Sequence, residues 1–439
     1  MARVLMGPIQ RALVVENPHP ELQELLEAEG VEVAWKDGAA PSEPELIELL
    51  GTHRAQVLFK RSRVLVPRRV VEASPDLLAV QLCSIGDDSV DKQACADAGV
   101  LVFNDPVSNG RSVVELAVAH LISLSRRLYE TDADTRRGGW DKTATERYEV
   151  RDKVLGVLGL GKIGRAVARA ADRLDMKVRF FDNHEVAVEV GRELGWQPTD
   201  SMEELFRTSD YLTVHLSARD VRGRSNEGVV TRDLLMQLGA DRPEGSPRIF
   251  LNLARGFLHS SEDLLAAVGE RKVRRAAVDV YPHEPRGSEK WDNPYASEPR
   301  IALTPHVGAS TQEAQPRIAH RVAATFCAFS QQGAVRDCVF APRAQLGLSE
   351  DLPPGAALLA VVHANVRGTK AAIDDAIFAA GASNLASVHR DFDELAVAYD
   401  LAALDCPLGE ADIERLVQLA RTRTGRPDAV RSVRQVTVG

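Results

Sequence analysis

The feature that most constrains this chain is a junction at residue 159. The apolar run Val154–Leu158 leads without a spacer into Gly159-Leu160-Gly161-Lys162-Ile163-Gly164, and a helical pattern follows from Arg165. A strand that passes straight into a helix through three spaced glycines needs each for its own reason. The first permits the tight turn, the second lets backbone amides approach a pyrophosphate, and the third allows close packing of helix on strand. Unpaired N–H groups and the helix dipole at that N-terminus favour an anion.

Glycine-rich turns are common, so context decides. The next expected strand, Val178–Phe181, ends at Asp182, where an acid is placed to hydrogen-bond ribose hydroxyls. Gly159, Gly161, Lys162, Ile163, Gly164 and Asp182 are therefore the expected dinucleotide-binding residues. A carboxylate at 182 repels the extra phosphate of NADP, and Asn183 and His184 offer no arginine clamp. The expected cofactor is NAD.

This junction sits inside a repeating pattern. From Ala12 to about Arg111, β-rich runs (Ala12–Glu16, Val31–Trp35, Gln56–Lys60, Leu77–Cys83, Val100–Phe103) alternate with helical stretches such as Pro20–Glu29 and Ser89–Ala98. A long helix is expected over Arg111–Leu128. Alternation resumes from Lys153 to about Val307, with strands at Tyr211–Leu216, Ile249–Leu253, Ala276–Val280 and Ile301–Thr304, and a helix Glu262–Val268 capped by Ser260 or Ser261. The polar insert Gly239–Arg248 reads as a surface loop. Such alternation predicts parallel α/β sheets. A helix-rich stretch, Thr311–Gln331, and a proline-bearing linker (Pro342, Pro353, Pro354) precede a βαββαβ pattern over 356–439, a ferredoxin-like unit. The expected fold is α/β: two Rossmann-like doubly wound parallel-sheet domains plus that C-terminal unit.

Composition excludes several classes. A formal charge of −9 without a basic stripe gives no footprint for nucleic acid. No apolar run approaches the roughly 20 residues of a membrane span, and no apolar stretch marks a secretory leader. Cysteines 83, 95, 327, 338 and 406 show no metal-ligand spacing and read as reduced cytoplasmic thiols; no metal is expected.

Three motifs fall at the carboxyl ends of expected strands, the edge where open α/β sheets bind ligands. They are Asn252 through Gly256, Asp279 through Pro285, and Thr304-Pro305-His306. Oxidation of a 2-hydroxy acid needs a base for the hydroxyl proton, a cation for the carboxylate, and a group that sets the base's protonation. His306 suits the first role, Arg255 the second through its bidentate fork, and Glu284 the third, since a neighbouring carboxylate favours the protonated imidazole and fixes its tautomer. His283 is the competing imidazole. Taken singly, each residue also reads as a turn or solvated loop; their joint placement beyond a dinucleotide motif is the signal.

With these motifs in place, residues 10–335 resemble the D-2-hydroxyacid dehydrogenases, whose Arg-Gly, Asp-Val-x-x-x-Glu-Pro and Thr-Pro-His pattern appears at Arg255-Gly256, Asp279–Pro285 and Thr304–His306. The resemblance implies a substrate domain built from 1–112 and 310–343, a cofactor domain over 113–309 in which Asp279 also contacts the cofactor, and a regulatory domain over 353–439. Arg61-Ser62-Arg63, Phe103–Pro106 with Ser108–Glu115, and His306–Gln315 resemble the branch of that family acting on phosphoglycerate. Arg61 and Arg63 would then meet a substrate phosphate, with Ser62, Ser84, Ile85, Gly86, Asn109 and Arg255 completing the substrate contacts. Asp87 departs from the family's small or hydroxyl residue in a loop expected to hold a carboxylate. Relatives acting on glycerate, glyoxylate or 2-oxoglutarate, and an NAD-sensing binding protein, are the alternatives.

The C-terminal unit resembles an ACT regulatory domain. His363-Ala364-Asn365 matches that family's His-x-Asn, and Asn384 matches a later asparagine, although Val366-Arg367-Gly368 replaces the usual Arg-Pro-Gly. The resemblance implies serine as effector at these three residues and a homo-oligomer, dimer or tetramer.

Overall fold

The computed structural model describes residues 2–438 apart from 221–222, 286–289, 342–343 and 349–351. Part of the expected linker, Pro342 included, lies outside the described residues. The chain forms two compact units, one of residues 109–314 and one of 1–108 with 315–439.

The 109–314 unit is built on a seven-stranded sheet in the order Ile301–Leu303, Arg275–Val278, Ile249–Asn252, Tyr211–Val214, Val154–Leu158, Lys177–Phe181, Gln197–Pro198. Every pairing is parallel. The four central strands beginning at 154, 211, 249 and 275 are buried along their whole length. That explains why their sequences run apolar without alternation: helices cover both faces. Chain order reverses between Val154–Leu158 and Tyr211–Val214, which makes their carboxyl ends the switch point of the sheet. The helix expected over Arg111–Leu128 spans Gly110–Ser125, and a second, Leu128–Arg136, follows after Arg127 in the left-handed region. The helix Ser261–Gly269 is capped by Ser260, whose Oγ accepts from Asp263 N.

Among its described residues the other unit holds two five-stranded sheets and a short antiparallel ribbon, Val335–Arg336 with Gln345–Leu346. One is parallel, in the order Glu32–Trp35, Arg11–Val14, Val57–Lys60, Ala79–Leu82, Leu101–Phe103. The second is the expected βαββαβ unit, with strands Ala357–Ala364, Asn384–Phe392, Val397–Leu404 and Val430–Thr437 and helices Thr369–Ala379 and Glu410–Thr424. A fifth strand, Arg3–Met6, pairs in parallel with Val430–Thr437. No local pattern in the sequence announces it. Its burial is only partial, and its partner is more than 400 residues away in the chain.

Both faces of this second sheet are covered at its strand Ala357–Ala364, so that strand is apolar from Ala357 to Val362. Ala357, Leu359 and Val361 pack with Ile373, Ile377, Leu416 and Val417 of the two helices. Leu358, Ala360 and Val362 instead share a core with Val57, Phe59, Ile318, Val322 and Phe326. The βαββαβ unit is thereby fused to the N-terminal sheet. Polar ties reinforce the seam: Arg431 donates to Ala96 O, Ser432 to Gly99 O, and Tyr399 to Gly333 O. Arg3 reaches the carbonyls of Val71 and Ser74, at the C-terminal end of the helix Arg68–Glu72, where a cation is favoured.

Candidate active site

The dinucleotide turn is formed as its glycines require. Gly159 has φ +92°, and a Cβ there would stand 2.9 Å from His215 O. A Cβ on Gly164 would meet Gly159 O at 2.0 Å, so the helix Lys162–Asp172 can start only on a glycine. At Gly161 nothing lies within 4 Å of the Cβ position, and the turn opens to the space a pyrophosphate needs. The first intrahelical bond runs from Arg165 N to Gly161 O, leaving the Lys162, Ile163 and Gly164 amides for an anion. Asp182 follows the neighbouring strand and accepts from Leu160 N at 2.7 Å and His184 N at 2.8 Å. It braces the turn, and each oxygen keeps a lone pair for a ribose hydroxyl. Arg192 lines the cleft beside Asp182, a neighbour the sequence reading missed, but Glu185 and Glu189 line it too. Carboxylates dominate, against a second phosphate.

His306 stands in the left-handed region, φ +54°, and both Glu284 oxygens lie 2.9 Å from its Nδ1. A carboxylate can only accept, so Nδ1 carries the proton and Nε2 is the nitrogen with a lone pair to offer. Both side chains are partly exposed. His283, the competing imidazole, is exposed on the preceding loop.

The buried Asp279 holds this geometry. Its Oδ1 accepts from Thr304 Oγ1 at 2.6 Å and Val307 N at 2.9 Å, and its Oδ2 from Gly308 N at 2.9 Å. All three donors belong to the turn that carries His306. Asn252, which opens the first motif but had been given no role of its own, does the same for Arg255: its side chain donates to Arg255 O and accepts from Ala254 N. Arg255 Nη1 donates to Ala254 O. The signal was present, since Asn252 is a polar residue closing a fully buried strand. The strands ending at Asn252, Val278 and Leu303 are consecutive neighbours, so Arg255, Glu284 and His306 rise from one edge of one sheet.

Residues assigned to the substrate from sequence fall mainly in the other unit. Arg61-Ser62-Arg63 follows Val57–Lys60, and Ser84-Ile85-Gly86 follows Ala79–Leu82; the strands are adjacent and parallel, so both loops share an edge. Ser84 Oγ donates to Gly86 O, and Asn104 donates to Ile85 O. Asp87, the electrostatic oddity, is paired with Lys92 at 2.7 Å. Lys60 was overlooked. Its fully buried amine bonds Arg61 O at 2.8 Å and Ser89 Oγ at 2.7 Å, and burial pulls its pKa down to about 8 despite Glu16 nearby. Asn109, in the 109–314 unit, is buried just ahead of Gly110–Ser125.

The effector residues do not converge within one chain. His363 pairs with Ala398 and Asn384 with Leu404, at opposite ends of the same sheet. Six residues of strand separate the two levels, roughly 20 Å. His363 is buried, while Asn365 is bonded to Asp393.

Comparison with known proteins bears on the family and the fold. The family model for the D-isomer specific 2-hydroxyacid dehydrogenase NAD-binding domain matches residues 118–308. The chain is 34% identical over 310 residues to D-3-phosphoglycerate dehydrogenase of Haemophilus influenzae, covering 70% of this chain and 71% of that one. Against D-3-phosphoglycerate dehydrogenase of Escherichia coli K12 it is 32% identical over 380 residues, covering 85% and 86%. Among solved structures, a glyoxylate reductase from Paecilomyes thermophila shares the fold at TM-score 0.65 and 22% identity, over 76% of this chain and 98% of that one.

Proposed function

The chain belongs to the D-isomer specific 2-hydroxyacid dehydrogenases as an NAD-dependent enzyme, and on that footing we propose that it interconverts 3-phosphoglycerate and 3-phosphohydroxypyruvate, the entry to serine biosynthesis. The observation that carries this choice among 2-hydroxy acids is the likeness to phosphoglycerate dehydrogenases over most of the chain, joined to the paired arginines Arg61 and Arg63.

Gly159, Gly161, Gly164 and Asp182 would hold NAD, which would supply an acceptor for the substrate's C2 hydrogen and its electron pair. The protein's share is to position and to move a proton. His306 Nε2 accepts the proton of the C2 hydroxyl while Nδ1–H stays on Glu284, so the imidazolium forms against a carboxylate already in place. In the reverse direction the same nitrogen returns the proton to the carbonyl oxygen. Arg255 takes the substrate carboxylate and polarises the C2 oxygen. Arg61 and Arg63 supply charge for the phosphate. Assembly as a homo-oligomer in the cytoplasm belongs to the same reading.

The test is NADH consumption with 3-phosphohydroxypyruvate beside glyoxylate, hydroxypyruvate and 2-oxoglutarate. Phosphohydroxypyruvate should be preferred, and Arg61→Ala or Arg63→Ala should raise its KM more than that of hydroxypyruvate. Preference for an unphosphorylated acid, with both arginine variants neutral, would assign the enzyme to another branch.

A further inference from the structure

Far along the chain from the hydroxyacid motifs, three strands of the C-terminal sheet bring two imidazoles to one carboxylate. Asp400 lies directly across from His389 on one neighbouring strand and from Val361 on the other, with His363 two residues beyond Val361 on the same face. His363 Nε2 is 2.7 Å from Asp400 Oδ2, and His389 Nδ1 is 2.9 Å from Asp400 Oδ1. His363 and Asp400 are almost fully buried at 2% and 4% side-chain exposure, whereas His389 is 36% exposed. Lys370 Nζ, paired with Asp374, also lies 3.7 Å from Asp400 Oδ1.

The outward-facing ring nitrogens decide what sits inside. His363 Nδ1 is 2.8 Å from Ala364 O, and His389 Nε2 is 3.0 Å from Asp391 Oδ1. Both partners can only accept, so both of those nitrogens carry protons. A neutral ring would then aim a bare lone pair at Asp400 from each side. Something positive must lie at each contact, either a second proton per ring or one cation shared by all. Two imidazoles and a carboxylate facing inward, each ring donating its other N–H to a carbonyl or carboxylate, is the pattern that fixes the tautomer of metal-ligating histidines. The three ligand atoms lie within 4.8 Å of one another.

We propose that His363 Nε2, His389 Nδ1 and Asp400 bind a divalent transition-metal ion of the zinc class. Mixed nitrogen and oxygen donors suit that class, and three protein ligands leave a fourth position for water on the open His389 side. The consequence is mechanical. Asn384–Phe392 is an edge strand exposed along nearly its whole length, and the ion would cross-link it to the two strands inside it.

The full-length chain, stripped with EDTA, is titrated with Zn²⁺ alone by calorimetry and with Co²⁺ by visible absorption, beside His389→Gln. His389 is partly exposed on an edge strand, so this variant should keep its circular dichroism; Asp400→Asn serves as a second variant should it not. The expected result is one ion per chain, Co²⁺ d–d bands of low-symmetry nitrogen–oxygen coordination, and binding weakened about 100-fold in the variant, as the loss of one ligand entails. Zinc should raise the Tm of the unaltered chain and leave that of the variant unmoved. Absence of stoichiometric binding, or equal binding by chain and variant because other groups such as thiols take the ion, overturns the proposal.

Discussion

Gly256 lies against the backbone of Tyr281 so closely that an added Cβ would stand 2.0 Å from the Tyr281 carbonyl carbon and oxygen. The residue after Arg255 is therefore a glycine for want of space: the loop leaving Ile249–Asn252 presses on the loop leaving Arg275–Val278. Gly256→Ala must separate the two by more than 1 Å, carrying Arg255 away from the edge it shares with Glu284 and His306. The expected loss in kcat/KM is about 100-fold, the usual cost of a misplacement of that size. Fluorescence titration should find NADH affinity nearly unchanged, because the glycine turn at 159–164 is on another strand. A variant with normal kcat/KM would show that Arg255 tolerates the shift.

His306→Asn removes the base but keeps the turn that Asp279 anchors. Its kcat should fall by about 10²–10⁴-fold, the range of general acid–base catalysis, with NADH binding retained. Glu284→Gln keeps an acceptor for His306 Nδ1 and loses only the charge, so a smaller loss of about tenfold is expected, since charge-assisted bonds are roughly twice as strong as neutral ones. Steady-state kinetics of both variants decide it. A loss for Glu284→Gln as large as for His306→Asn would mean that the carboxylate itself touches substrate.

Asp182 braces Leu160 N and His184 N and, in the proposed cofactor site, would also take the ribose hydroxyls. Asp182→Ser should weaken NADH by about 10–100-fold through lost hydrogen bonds to a charged group. NADPH should weaken less, because the repulsion of its phosphate disappears. KM values for both cofactors measure this; an unchanged ratio would locate the discrimination in Glu185 and Glu189.

Much of this was legible in the sequence, for identifiable reasons. The parallel strands were visible because burial on both faces makes them continuously apolar, and the site was visible because its residues cluster just past such strands. What escaped notice depends on distant pairing. Arg3–Met6 is four residues of half-buried strand whose partner lies at the other end of the chain. Lys60 was hidden because its role is holding a loop, which no local pattern announces, whereas Asn252 stood out only as a polar residue closing a buried strand. Asp400 carried a signal of its own, a lone acid within the apolar run Val397–Leu404, but only the sheet register shows His389 opposite it. Asn384 had matched a motif position, and the same register places it at the far end from His363.

The last prediction concerns acid stability and rests on His259. Its ring is buried, with Nδ1 3.0 Å from the Asn252 side-chain nitrogen, and Nε2 3.1 Å from Tyr295 OH. The amide nitrogen can only donate, so Nδ1 accepts and the proton is on Nε2: the neutral ring is the one that fits. Burial accordingly pulls the His259 pKa down to about 4. In the unfolded chain a histidine titrates near 6.5. Between those values the unfolded state binds more protons than the folded one, so stability rises with pH across this window and is lost as pH falls from 6.5 toward 4. At pH 5 the loss from this residue should be about 2 kcal/mol. His259→Gln can keep both hydrogen bonds without titrating. Urea unfolding at pH 7 and pH 5 should therefore show the unaltered protein losing about 2 kcal/mol more than the variant over that interval. Equal losses would place the acid sensitivity in other groups.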